Sequence, residues 1–129
     1  MINYAFTKEM DIPYETVVML VREALKKEGF GILTEIDVQG KMKEKLGIDM
    51  NKYIILGACN PPNAYKAILA EENIGLIFPC NVIVYERGGK TILSVIRPTV
   101  AMQIVDNLEL QKAAQAVEEQ LKKAFDAIK

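Results

Sequence analysis

Apolar positions along this chain switch between the two-residue repeat of a strand and the three- and four-residue repeat of a helix. The clearest stretch is the last. Leu110, Ala114, Val117, Leu121, Ala124 and Ile128 alternate at four and three, with Gln111, Gln115, Glu118, Lys122 and Lys123 on the water side. That pattern predicts a long amphipathic helix capped by Asp106 or Asn107. A second long helix is signalled by Asp11-Ile12-Pro13-Tyr14-Glu15. Asp11 or Ile12 would cap it, Pro13 would lie in its first turn, and Glu15 would sit near its positive end. Its apolar stripe is Tyr14, Val17, Val18, Val21, Ala24 and Leu25, and Gly29 ends it.

The remaining segments read as strands with short helical inserts. Residues 2–8 predict a first strand. Residues 30–37 predict a second, with Ile32, Thr34 and Ile36 on one face and Leu33 and Glu35 on the other. A short helix follows, with Val38, Met42 and Leu46 four apart and Gly47 as its stop. Residues 52–59 are a strong strand, after which Asn60-Pro61-Pro62 starts a helix expected to carry Tyr65, Ile68 and Leu69 inward. Residues 75–85 predict a strand, Gly88-Gly89 a two-residue turn, and residues 90–97 the returning strand, which Pro98 ends. The order predicts an α+β two-layer sandwich, with a mostly antiparallel sheet and two long helices on one face. A partner subunit is a natural cover for the other face, so a homodimer is expected.

Composition narrows the setting. A chain of 129 residues suits one hydrophobic core, and residues 1–129 are read as a single domain. Net charge is −1 with acids and bases interspersed, which argues against nucleic acid as a partner. Lys41, Lys43 and Lys45 have Glu44 among them and read as the solvated face of the short helix. The start lacks a basic, signal-like segment, and the longest apolar run, residues 74–85, is interrupted by Gly75, Pro79 and Asn81. It is shorter than the roughly 20 residues that span a bilayer. A cytoplasmic protein with no membrane partner and free thiols is the expectation.

Chemistry is bounded by absences. There is no histidine, and Ser94 is the only serine, which excludes a Ser-His-acid triad, a Cys-His dyad and a His-bearing zinc site within the chain. Two Cys-Asn steps stand out, Cys59-Asn60 and Cys80-Asn81. Cys59 directly precedes a helix start, where the positive end of the dipole favours thiolate. Pairing Arg87 with Lys90 across the glycine turn sets Cys80 opposite Arg97, whose guanidinium would also lower a thiol pKa. The plainer alternative is that both cysteines pack as small hydrophobes. Glu35 and Asp37 share one side of a strand, and Asp37 is expected to cap the helix after it, leaving Glu35 free.

These residues give a leading expectation: a small-ligand or metal-ion binding module at Cys59, Asn60, Cys80, Asn81, Glu35 and Arg97. Cys59, Cys80 and Glu35 would be ligands for a thiophilic ion such as zinc. A cysteine-thiolate enzyme or redox sensor, and a purely structural homodimer, are the alternatives. Gly29-Phe30-Gly31 follows a helix rather than a strand, so no dinucleotide loop is read there.

Three runs closely resemble the domain of unknown function 302 family: Phe30-Gly31-Ile32-Leu33-Thr34-Glu35-Ile36-Asp37, Leu56-Gly57-Ala58-Cys59-Asn60-Pro61, and Gly75-Leu76-Ile77-Phe78-Pro79-Cys80-Asn81-Val82. The resemblance implies a β-α-β(4)-α fold, similar in outline to the TATA-binding-protein saddle, and often a homodimer. It implies no established activity. The family's motif positions fall on Glu35, Asp37, Gly57, Asn60, Pro61, Gly75, Pro79 and Asn81.

Overall fold

Strand alternation and helix periodicity translate directly into the layers of the computed structural model, which describes residues 3–129. Strands β1 (Ala5–Met10), β2 (Gly31–Asp37), β3 (Tyr53–Cys59), β4 (Cys80–Arg87) and β5 (Lys90–Ile96) form a sheet of order β1-β5-β4-β3-β2. Every neighbouring pair is antiparallel. The long helices α1 (Tyr14–Lys27) and α5 (Leu108–Ala127) pack on one face. Between the strands lie α2 (Val38–Leu46), α3 (Pro61–Ala70) and the short α4 (Pro98–Ala101), with single 3-10 turns at Glu72–Leu76 and Met102–Ile104. The fold is the expected α+β sandwich. Among the described residues, no helix is long and apolar enough to cross a membrane.

The main core is made by alternate strand residues meeting the helix stripes. Leu56 pairs with Val82, Ile54 with Val84, and Val84 with Leu93, and all point toward Val17, Val21 and Leu121. A smaller cluster of Ala67, Ile74, Met102, Leu110 and Ala114 lies around α3 and the first half of α5.

Local stops and turns follow the residues closely. Gly29 has φ +84°, and the amides of Gly29 and Phe30 close back on Lys26 and Leu25. This closure sets buried Leu25 and Phe30 in the same core cluster. Gly88 and Gly89 have φ +58° and +78°, as the tight turn joining Arg87 to Lys90 requires.

Several expectations change. The first strand runs over residues 5–10 rather than 2–8, and Ile2 lies outside the described residues. Neither Asp11 nor Ile12 caps α1: Pro13 occupies that position without a side-chain bond, and Asp11 instead pairs with Lys90. A bulge between Ile32 and Thr34 sets Ile32 opposite Ala58 but Thr34 opposite Gly57. The extra residue swaps the face, so Ile32 joins the core while Thr34 and Ile36 lie on the bare side. The run from residue 75 is not strand until Cys80, because a 3-10 turn buries Ile74 in the smaller cluster first.

The largest correction concerns α3. Tyr65 and Leu69 are 64% and 69% exposed, and Ile68 is also exposed, while Ala67 is buried. The helix lies against α5 through its alanine side, and a close approach leaves no room for large side chains. Glu118, expected in water, is half-buried and accepts bonds from the Thr99 amide and hydroxyl and from Arg97 Nε. Among the described residues, no helix covers the other sheet face. There Tyr53 stacks on Tyr85 at 5.1 Å, and the Thr7 and Ser94 hydroxyls bond to each other.

Candidate functional site

Asn60 ends β3 by turning the chain into α3. Its Oδ1 accepts the Asn63 amide at 3.2 Å, and Pro61 supplies the first helical residue without wasting a donor. Asn60 Nδ2 donates to Gln120 Oε1 at 3.3 Å, which ties this corner to α5. Asn107 ties the far end: its Oδ1 caps α5 at the Leu110 amide, and its Nδ2 donates to the Ala70 carbonyl at 2.7 Å. The two helices are thus held side by side from both ends.

Between them lies a crevice whose floor is the end of β3. Ala64 and Ala67 of α3 face Ala113 and Ala114 of α5, with Cys59 beneath and Phe30 and Phe78 at the side. Its cavity volume is about 20 Å³, room for about one water molecule, so a ligand there would have to part the two helices. Its wall is almost wholly apolar, with Asn60 and Asn63 as the polar residues that line it.

The two thiols behave unlike the expected thiolates. Cys59 and Cys80 are unpaired and buried, 6% and 8% exposed. Burial pushes the Cys59 thiol up, and it pushes Cys80 up to about 12, with neighbouring Cys59 adding to the rise. At Cys59 burial is the cause, and it disfavours the thiolate expected there. At Cys80 the expected cation is engaged elsewhere. Arg97 donates to Glu118 and to the Asn3 carbonyl at 3.0 Å, and its guanidinium lies over the Phe6 ring.

The predicted residues are only partly brought together. Cys59 and Asn60 line the crevice. Cys80, level with Ala58 on the adjacent strand, belongs to the main core and neighbours Cys59. Asn81 lies opposite Gly57 and is exposed on the bare face. Glu35 lies opposite Leu56 and pairs with Arg22 of α1, while Asp37 caps α2 at the Gly40 amide, as expected. Among the described residues, no group of three His, Cys, Asp or Glu side chains is placed to hold a metal ion. Cys59, Cys80 and Glu35 do not come together as a ligand set, and Glu35 is engaged by Arg22.

Other motif residues turn out to be packing devices. Gly57 has no room for a side chain, because Thr34 Oγ1 and Pro79 occupy the space a Cβ would need. Sequence reasoning missed Ala64, Ala67, Ala113 and Asn63. The signal was present as alanines three apart on α3 and adjacent on α5, but it was masked by the larger apolar stripe beside it.

Comparison with known proteins agrees with this geometry. A search of curated proteins finds no match. The crystal structure of an uncharacterized conserved protein DUF302 from Bacillus stearothermophilus has a TM-score of 0.91 to this chain at 27% sequence identity. The likeness covers 99% of this chain and 100% of that one. The family described as Domain of unknown function DUF302 matches residues 6–128, nearly the whole sequence. The chain therefore belongs to the DUF302 family.

Proposed function

We propose that this chain is a non-enzymatic small-ligand-binding module whose site is the crevice over Cys59. The observation that carries the reading is the alanine-walled, apolar space between α3 and α5, ending on a buried thiol. Apolar walls with a few polar groups at the mouth are the ordinary make-up of a small-molecule site. A neutral ligand fits better than an ion: Cys59 alone is far short of the ligands a thiophilic metal such as zinc requires. Both thiols are pushed toward the protonated form, which disfavours a nucleophile or redox sensor. Unpaired thiols suit a reducing, cytoplasmic setting.

The test is a ligand-observed NMR screen of small apolar fragments against the wild type and Ala113→Leu, whose added side chain occupies the crevice. Circular dichroism verifies the variant's fold. Fragments that bind the wild type, fail to bind the variant and slow Cys59 methylthiolation support the reading. Fragments that bind both proteins equally, or a screen with no binders, refute it.

A second reading is carried by the bare sheet face. We propose that a second copy covers the stacked Tyr53 and Tyr85 together with Ile36 and Ile83. Aromatic rings on an uncovered sheet face suit an interface. Sedimentation equilibrium should give a dimer that Tyr85→Lys dissociates. A wild-type monomer at high concentration would end that reading.

A further inference from the structure

We propose that the open sheet face carries a binding site for a neutral sugar, in a depression over Thr7, Ser94 and Ile83. The site is separate from the crevice between α3 and α5 and does not depend on it. The first support is space. The depression measures about 680 Å³, ample for a small molecule, whereas the crevice has room for about one water.

The second support is the order that the strand register imposes. Thr7 is level with Ser94, and Ser94 with Ile83, so the three form a row across β1, β5 and β4. Two residues along β4 the same face carries Tyr85, with Tyr53 level beside it on β3. Two residues back along β1 lies Ala5, preceded by Asn3 and Tyr4, which also line the depression. Because β1 and β4 both pair antiparallel with β5, these two groups fall on opposite sides of the row. The Tyr53 and Tyr85 rings are 13° from parallel, a stack that holds both in one orientation. Tyr4, on the opposite side, is 64% exposed. The row is thus a floor between tyrosines.

The third support is the chemistry of that floor and its walls. The Thr7 and Ser94 hydroxyls bond to each other at 2.7 Å, which leaves the pair one proton and several lone pairs for a ligand. Among the described residues, no charged side chain lines the depression. An ion would give up its water there with no opposite charge in return. A wholly apolar body would cover the hydroxyls and leave them unpaired. A pyranose ring suits both parts. Its C–H faces can lie on tyrosine rings, and the hydroxyls round its edge donate and accept as the floor requires.

The experiment uses the full chain, labelled with ¹⁵N and titrated with cellobiose, maltose or lactose, with glucuronate and cyclohexanol as comparisons. A second copy over Tyr53 and Tyr85 would occupy the same face, so the protein is kept at concentrations that sedimentation shows to be monomeric. At least one disaccharide should shift the amides of Thr7, Ile83 and Ser94, with an affinity that added salt leaves unchanged. Glucuronate, lacking a cation to meet, and cyclohexanol, lacking hydroxyls, should each bind about tenfold more weakly. Thr7→Val/Ser94→Ala, its fold verified by circular dichroism, should weaken the disaccharide about tenfold through lost hydrogen bonds. Disaccharides that leave these amides unmoved, or that bind the double variant equally well, overturn the proposal. So does either comparison compound binding as tightly as the sugars. Shifts confined to Ala67 and Ala113 overturn it too, while leaving the crevice as the site.

Discussion

The two halves of α5 solve the same packing problem in opposite ways. Beyond Gln120 the helix lays Leu121, Phe125 and Ile128 on the sheet, where they fill the space above Leu56, Val82 and Leu93. Before it, Ala113 and Ala114 meet the alanines of α3, beside Leu110 and Met102. The period of apolar residues is the same in both halves. What differs is the partner. A sheet face lies about 10 Å from a packed layer and takes large side chains, whereas alanine contacts bring helix axes closer. A row of alanines cannot fill the corner where the sheet ends and the two helices continue. The crevice over Cys59 is that unfilled corner.

The comparison can be broken first at its filled half. Leu121→Ala should cost about 3 kcal/mol, since Leu121 is fully buried and its neighbours are held by the sheet. Urea unfolding measures this, and a cost below about 1 kcal/mol would mean that this half is loosely packed. Next comes the alanine contact itself. Ala114→Leu should cost about 2 kcal/mol by overpacking, because Ala114 is only 1% exposed. Ala113→Leu, one residue away but only half-buried, should cost less than about 1 kcal/mol. Equal costs for the two would contradict an open space beside Ala113.

The cysteines divide between the same two regions and sharpen the contrast by pH. Cys80, in the main core, is raised from an ordinary 9.0 to about 12 by burial. The folded protein keeps a proton that the unfolded chain releases, so this contribution is full below about pH 9. It is lost as pH climbs toward about 12, at about 1 kcal/mol per pH unit. Comparing urea midpoints near pH 8 and near pH 10, Cys80→Ala should show a flatter decline than the wild type. An unchanged slope would show that the Cys80 thiol ionises normally in the fold. A cap-sized effect is expected at the tie between the helices. Asn107→Ala removes the α5 cap and the bond to Ala70 and should cost about 1 kcal/mol. Faster amide exchange should follow at Leu110 and in the last turn of α3, but not beyond Leu121.

Much of this architecture could be read from local signals. The α5 stripe, the Asp37 and Asn60 caps, the Gly29 stop and the glycine turn each depend on a few adjacent residues, and each lies where the sequence placed it. The candidate site was legible only in part. Cys59 and Asn60 line the crevice, but Cys80, Asn81, Glu35 and Arg97 go to four other environments. The expected register of Cys80 with Arg97 did not bring a cation to the thiol, because Glu118 on α5 holds the guanidinium. A strand ladder says which backbones are level; it does not say where a long side chain finds its partner.

The sequence by itself determined the element order, the caps of α2, α3 and α5 and the glycine turn, because periodicity, capping and glycine's φ act over a few residues. Tertiary structure decided which stripe of α3 faces inward, which side of the sheet each β2 residue takes past its bulge, and whether a thiol is favoured as thiolate. Those outcomes depend on how closely distant segments approach and how much water they exclude. Alanine contacts between α3 and α5 decided the first, the extra residue at Leu33 the second, and burial the third.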